Sequence, residues 1–277
     1  MSLSTIADSC ADALFAAKRR IVGPHRSRRT RLYCVGMGKS GTHSIAAMFS
    51  DKVRAAHEPQ ARQLLEKAPW QPGRLADPEL REWLHARDRE MALEVDSSAL
   101  NFDILDFLLS EFEEARFVLT VRDCYSWCNS LLNHMVRFAT EMDPLWHPWL
   151  DSRCRPDLFR HEAREQVLKE KSLYTLDGYL SYWARHNQEV ISKVPAERLF
   201  VVRTDQIHAN AHAIAKFAGL SARTVCLDRT HEYQNPTKQQ LIRELDQDFL
   251  EGKVEKHCRP LMNRFFPEIK SLDDAKL

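Results

Sequence analysis

The chain has 277 residues, of which 44% are hydrophobic and 29% are charged, a composition typical of a folded globular protein. The 40 lysines and arginines nearly balance the 39 aspartates and glutamates, and this balance argues against a nucleic-acid-binding protein. The 7 cysteines lack C-x-x-C spacing and predict neither a disulfide framework nor a zinc site, so we expect a cytoplasmic protein.

Residues 1–30 are predicted to precede a single α/β domain that covers 31–277. Apolar residues recur at helical spacing from Ser4 to Ile21, which predicts an N-terminal helix. A basic linker, Pro24 to Arg31, follows, and we expect it to be a solvated arm. The N-terminus lacks the order of a signal peptide, and no apolar run is long enough to span a membrane. A homodimer formed through the N-terminal helix is an open alternative.

A short apolar run from Leu32 to Val35 predicts a buried strand, and the glycine-rich segment 36–42 (GMGKSGT) follows it directly. A helix is predicted from Ile45 onward. Glycines let the backbone come close to a ligand, and the free N–H groups at the start of a helix attract anions. This strand, turn and helix therefore predict a site for a phosphate-type ligand.

Three motifs compete for the glycine-rich segment. A Walker A loop requires a glycine at position 33, where the chain has Tyr33, so that match fails. The three glycines satisfy the dinucleotide fingerprint G-x-G-x-x-G, and Glu58 follows at about the distance of a ribose-binding acid. The third interpretation is a loop centred on Lys39 to Thr42 with a further hydroxyl at Ser44.

Titratable residues follow the next two predicted strands. The run 53–56 predicts a weak strand that ends in His57 and Glu58, and the run 91–95 predicts a strand that ends at Asp96. The carboxyl ends of parallel strands meet at one edge of a sheet, so these residues are expected beside the glycine-rich segment. His57 is the first candidate for a general base because histidine titrates nearest neutral pH. Glu58 would orient it or act as the base itself, and Asp96 is the rival.

A second motif follows the strand predicted over 116–121 (RFVLTV). Arg122 comes directly after this strand, and Ser130 lies eight residues further on in a helix predicted over 125–138. Eight residues are about two helical turns, so Ser130 shares a face with the start of that helix. A guanidinium fork and a hydroxyl placed in this way can bind the oxygens of one phosphate.

Together, the two motifs resemble those of the sulfotransferases that use 3′-phosphoadenosine 5′-phosphosulfate (PAPS). Lys-Ser-Gly-Thr with a later serine resembles the family's 5′-phosphosulfate loop, and an arginine with a serine at plus eight resembles its 3′-phosphate motif. The family often has proline where this chain has Cys124. By this resemblance, the residues expected to bind the donor are Lys39, Ser40, Gly41, Thr42, His43, Ser44, Arg122 and Ser130.

Strands that alternate with helices predict a three-layer, doubly wound α/β sandwich around a parallel sheet of about five strands. The resemblance implies that this fold is similar to that of P-loop NTPases. It also implies transfer of a sulfuryl group from PAPS, without a metal, to a hydroxyl or amine of a small-molecule or carbohydrate acceptor by in-line displacement. By analogy with phosphoryl transfer, Lys39 would neutralise the charge that develops on the leaving phosphate.

Two later segments remain less well defined. Asp143 to Asp157 interleaves prolines with aromatic residues, so no regular element is predicted there, and the segment is either a packed surface loop or a wall of the acceptor pocket. A last strand is predicted over 198–203. The resemblance implies a basic loop over the 3′-phosphate in the tail, and Lys238 is the nearest candidate. Helices are predicted over 238–250 and 254–266.

Two other classes of function stay open. A P-loop kinase would also bind phosphates at this edge but requires magnesium ligands, for which Asp96 is a candidate. A non-catalytic nucleotide-binding protein would bind the donor without transferring its sulfuryl group.

Overall fold

The computed structural model describes residues 27–138, 142–230 and 240–277. The predicted N-terminal helix and Lys238 lie outside these residues, as does the start of the basic linker. Within them, no helix is long and apolar enough to cross a membrane.

A parallel sheet of five strands forms the centre of the described fold, in the order β2-β3-β1-β4-β5. This confirms the predicted α/β class and the strand count. The strands are β1 (Leu32–Cys34), β2 (Ala55–His57), β3 (Val95–Ser97), β4 (Arg116–Val121) and β5 (Leu199–Arg203).

Helices cover both faces of the sheet. Successive strand residues point to opposite faces, so Leu32 and Cys34 pack on one side and Tyr33 on the other, each within its own apolar core. The helices are α1 (Thr42–Ala47), α2 (Ala61–Lys67), α3 (Pro78–Met91), α4 (Leu105–Glu111), α5 (Cys124–Phe138), α6 (Trp146–Cys154), α7 (Gln166–Glu170), α8 (Leu176–Lys193), α9 (Ile207–Phe217), α10 (Gln247–His257) and α11 (Arg259–Phe265).

The third strand lies further along the chain than the sequence predicted. Helix α3 continues to Met91, and Ala92 then adopts a left-handed conformation that ends it. Strand β3 therefore starts only at Val95, so Asp96 lies inside the strand and not beyond its end. The predicted boundary over 91–95 was wrong because the apolar residues there belong partly to the end of the helix.

The prediction that 143–157 contains no regular element was also wrong. Helix α6 occupies most of it, with Pro148 as the third helical residue, where the first turn needs no N–H donor. Arg155 ends the helix in a left-handed conformation, and Pro156 follows, as is common after a helix end. The prolines therefore mark the two ends of a helix.

A further expectation fails in the tail. Helix α10 runs through Gly252, the break falls at Cys258, and the next helix starts at Arg259 with Pro260 in its first turn. The described end of the basic linker is exposed at Ser27 and Arg29, but ion pairs tether it, because Arg28 donates to the Asp88 carboxylate at 2.8 Å and Arg29 to that of Glu94 at 2.7 Å. This segment is fixed to α3 and to the residue before β3.

Candidate active site

The order of the strands creates a topological switch point at the carboxyl end of β1. The chain passes from β1 to β2 on one side and later crosses to β4 on the other. Parallel α/β sheets bind ligands at such a switch point. The segment after β1, the end of β2 and the end of β4 therefore share one edge, as predicted.

The glycine-rich segment, 36–42 (the donor loop), requires its glycines at two positions. A Cβ at Gly36 would lie 1.9 Å from the Thr120 hydroxyl oxygen, so a side chain cannot fit there. Gly41 has a φ of 104° directly before α1, a conformation that favours glycine. At Gly38 a Cβ would meet no atom within 4 Å, so the loop is open on that side.

Buried and half-buried side chains bind the carbonyls in and next to this loop from the protein side. The Trp127 indole donates to the Gly38 carbonyl at 3.0 Å, and the His186 Nε2 lies 2.8 Å from the Val35 carbonyl oxygen. The Thr204 hydroxyl donates to the Ser40 carbonyl. These contacts turn the carbonyls into the protein and fix the loop before any ligand arrives.

Two of the predicted donor-binding hydroxyls are used inside the fold. The Ser40 hydroxyl donates to the Met37 carbonyl at 2.6 Å, and Ser40 is buried. The Thr42 Oγ1 lies 3.2 Å from the His57 Nε2, which links the start of α1 to the end of β2. We therefore expect Ser40 and Thr42 to bind an anion through their backbone N–H groups and not through their hydroxyls.

Arg122 lies between the donor loop and α5. Its Nε donates to the Ser126 hydroxyl at 2.9 Å, and its Nη1 donates to the Lys39 carbonyl at 3.3 Å. Asp123 in turn accepts from the Ser126 backbone N–H at 2.8 Å. Ser130 lies one helical turn beyond Ser126 on the same face of α5. Sequence reasoning missed Ser126, although its plus-four spacing from Arg122 was a usable signal.

The cationic groups at this edge repel one another. Burial and the nearby Arg122 and Arg137 charges lower the pKa of Lys39 to about 8. Burial also lowers the pKa of Arg122. One turn beyond Ser130, His134 has a pKa lowered to about 4 by burial and by the charges of Lys39 and Arg137. Such a concentration of positive charge favours a polyanionic ligand.

The two titratable residues at the end of β2, His57 in its last position and Glu58 directly after it, have opposite pKa shifts. Burial raises the pKa of Glu58 to about 7, although the charges of His43 and Lys39 act against it. Burial lowers the pKa of His57 to about 4, with Lys39 contributing in the same direction. The ring of His57 contacts that of His43 at 4.8 Å between centroids. At neutral pH, Glu58 is therefore partly ionised and His57 is neutral.

Asp96, the third candidate base, is engaged with other side chains. It is buried within β3, where the Arg87 guanidinium donates to it at 3.2 Å and the Asn101 amide at 3.0 Å. Of the cations in the later part of the chain, Arg203 pairs with Asp205 and Glu268, and Arg229 pairs with Asp51.

The tryptophans and the histidine that support the site were not predicted from the sequence. Trp127 and His186 hold the loop as described, and the Trp183 indole donates to the Arg122 carbonyl at 2.9 Å. Their positions on α5 and α8 were consistent with ordinary core residues, so only the folded contacts reveal their function. Within the ranges described, no group of three or more His, Cys, Asp or Glu residues is arranged to hold a metal ion.

The sequence profile of the sulfotransferase domain matches residues 31–209. This match covers more than half of the chain and includes the donor loop, both strand-end motifs and Arg122. The chain therefore belongs to the sulfotransferase family. No curated protein sequence matches it significantly.

Solved structures of sulfotransferases have a similar fold. One from Alicyclobacillus acidocaldarius superposes with a TM-score of 0.50 at 14% identity, covering 87% of this chain and 99% of that chain. One from Mycobacterium avium gives a TM-score of 0.47 at 11% identity, covering 92% of this chain and 81% of that chain. At such identities, the first of these supports the fold alone.

Proposed function

We propose that this protein transfers the sulfuryl group of PAPS to a hydroxyl or amine of a small-molecule or carbohydrate acceptor. One observation carries the proposal: the Arg122 guanidinium donates to the Lys39 carbonyl at 3.3 Å, and the charge of Lys39 interacts with those of both Arg122 and Glu58. Groups suited to bind the donor and a group suited to remove a proton therefore meet at a single lysine.

The charges of the described residues are suited to the anionic groups of the donor. PAPS carries a 5′-phosphosulfate and a 3′-phosphate, and the two motifs offer one anion site each. The donor loop is open at Gly38 and would hold the 5′-phosphosulfate through its backbone N–H groups. Arg122, already oriented by Ser126, would hold the 3′-phosphate together with Ser130.

The proposed reaction is an in-line displacement at sulfur. The acceptor oxygen or nitrogen attacks the sulfur, the bond from sulfur to the bridging phosphate oxygen breaks, and the acceptor proton passes to a base. Lys39 would neutralise the charge that develops on the leaving phosphate. The pKa of Lys39, about 8, leaves it mostly protonated at neutral pH, as this role requires.

Glu58 is the base that we propose. Its pKa of about 7 makes it both ionised in part and basic enough to accept a proton near neutral pH. His57, with a pKa of about 4 and its Nε2 next to Thr42, is better suited to orient the start of α1. Asp96 is engaged by Arg87 and Asn101, which favours a supporting function.

Calorimetric titration with the product 3′-phosphoadenosine 5′-phosphate, without added metal, tests the donor site. We expect micromolar or tighter binding in the wild type and a loss of about tenfold or more in Arg122→Ala, because a charge-assisted phosphate contact is removed. Arg155→Ala is the matched control, since Arg155 pairs with the neighbouring Asp157.

The alternatives give different results in the same titration. A kinase would bind ATP only when magnesium is present and would not bind the sulfotransferase product, which would refute the proposal. A non-catalytic relative would bind the product normally but transfer no labelled sulfuryl group to any member of a panel of phenols, sugars and amines.

A further inference from the structure

The turn that carries Glu58 adopts an unfavourable backbone conformation. Glu58 has a φ of 49° and Gln60 a φ of 52°, both in the left-handed region that side-chain-bearing residues rarely adopt. Such residues persist where the surrounding structure holds them. Pro59 lies between them and has no N–H group, so its carbonyl is the group by which the centre of the turn can be held.

Arg87 holds that carbonyl. Its Nη2 donates to the Pro59 carbonyl at 2.8 Å and to the Asp96 carboxylate at 3.2 Å. Arg87 lies on α3 with only 7% of its surface exposed, and Asp96 with 3%. The guanidinium therefore joins the turn to the centre of the sheet.

The contacts continue from Asp96 to the start of the donor loop. The Asn101 amide donates to the Asp96 carboxylate at 3.0 Å and to the carbonyl of Cys34, the last residue of β1, at 3.2 Å. The Glu58 backbone N–H donates to the Ser97 carbonyl at 2.9 Å. One network thus fixes the turn relative to the strand from which the donor loop leaves.

We propose that Arg87, oriented by Asp96, is a positioning residue that holds the Glu58 carboxylate in line with the donor loop. This inference rests on the proposed function of Glu58 as the base. Stability alone is a weak explanation for the pair, because apolar residues of similar volume often replace a buried ion pair without loss of stability. The contact with the Pro59 carbonyl gives the buried charge a specific purpose.

Arg87 acts through the backbone of the turn. The titratable groups that influence the Glu58 carboxyl directly are Lys39, His43 and Tyr182. Loss of the Arg87 contact should therefore loosen the turn and expose the carboxyl to water, which moves its pKa down towards the ordinary value for glutamate. A residue that only stabilised the fold would not change this pKa selectively.

The test compares Arg87→Met with Arg81→Met on the same helix, where Arg81 makes a half-buried pair with Glu111. Affinity for 3′-phosphoadenosine 5′-phosphate is measured together with transfer from PAPS to the best acceptor across a range of pH. For Arg87→Met, we expect unchanged affinity and a turnover about tenfold to a hundredfold lower, as for a displaced catalytic group. The midpoint of the acid limb of the pH–activity profile should move to lower pH. Arg87→Lys, which keeps one hydrogen-bond donor, should have a turnover and a midpoint between those of the wild type and Arg87→Met.

Two results would overturn the inference. The first is an Arg87→Met variant whose turnover and pH–activity midpoint equal those of the wild type, and the second is a loss of donor affinity as large as the loss of turnover, which would indicate general damage. If Arg87→Met does not fold, Arg87→Lys is judged by the same criteria. Glu58→Gln separates this inference from the proposed function. If the acid limb of the pH–activity profile persists in Glu58→Gln, Glu58 is not the base. If this limb is lost in Glu58→Gln but has its wild-type midpoint in Arg87→Met, only the positioning function of Arg87 is refuted.

Discussion

The two sides of β1 are constructed differently at the carboxyl edge of the sheet. On the β4 side, the donor loop and Arg122 present cationic and backbone donors, fixed by neutral side chains such as Trp127 and Thr204. On the β2 side, a strained turn presents Glu58, whose pKa burial raises to about 7. One side is suited to neutralise charge and the other to move a proton.

This difference predicts that the two sides can be separated by experiment. Changes on the β4 side should reduce donor affinity with little effect on the acid limb of the activity profile. Changes on the β2 side should alter the pH dependence and leave donor affinity intact. Lys39, which interacts electrostatically with both Arg122 and Glu58, should affect both properties.

The largest effect is expected for Lys39→Met, which tests the point where the two sides meet. Turnover should fall by about 10²- to 10³-fold, the usual cost of removing a group that stabilises charge in the transition state. Donor affinity should fall as well. Lys52→Met is the control, because Lys52 is exposed and donates to the Arg223 carbonyl at the surface. Equal activity in the two variants would contradict the account.

The next effect concerns stability and the Glu58 carboxyl alone. Glu58 has a pKa of about 7 in the folded protein, against an ordinary pKa of 4.5. Because the unfolded chain ionises at the lower pKa, the free energy of unfolding of the wild type decreases as the pH rises from 4.5 to about 7. Glu58→Gln should therefore gain up to about 3 kcal/mol in unfolding free energy relative to the wild type between about pH 5 and pH 8.

Denaturant unfolding at the two pH values measures this gain. Glu113→Gln removes an exposed carboxylate and serves as the control. If the difference in unfolding free energy between Glu58→Gln and the wild type does not change with pH, burial does not raise the pKa of the Glu58 carboxyl. The proposed difference between the β2 and β4 sides would then be contradicted.

A smaller effect is expected in the pH dependence of donor binding. Because the pKa of Lys39 is about 8, the free protein loses this charge above that pH and binding must then take up a proton. Affinity for 3′-phosphoadenosine 5′-phosphate should be about tenfold weaker at about pH 9 than at pH 7. Calorimetry in two buffers of different ionisation enthalpy measures the proton uptake, which should be absent in Lys39→Met.

The smallest effect tests the scaffold of the donor side. Trp127→Phe keeps the ring but removes the indole donor to the Gly38 carbonyl, one hydrogen bond worth about 1 kcal/mol. Donor affinity should fall a few-fold and the acid limb should keep its midpoint. A shift of that midpoint would show that the two sides are not independent.

The sequence predicted the parts of the site that depend on local spacing. The donor loop, Arg122 with Ser130, and Glu58 after β2 could be predicted as candidates because strand ends, glycines and helical periods are local signals. The contacts of Arg87 with Pro59 and of His186 with Val35 join residues far apart in the chain, and no local pattern encodes them. For the same reason, the pKa order of His57 and Glu58 was not predictable, because burial sets it.

The most direct test of the central claim is transfer of labelled sulfuryl from PAPS to a panel of acceptors, measured for the wild type and Glu58→Gln between about pH 5 and pH 9. The account predicts transfer by the wild type that rises with pH to a plateau with a midpoint near the Glu58 pKa of about 7. It predicts loss of this transfer in Glu58→Gln, which should still bind 3′-phosphoadenosine 5′-phosphate normally. Full activity in Glu58→Gln, or wild-type transfer that is independent of pH across this range, would contradict the account.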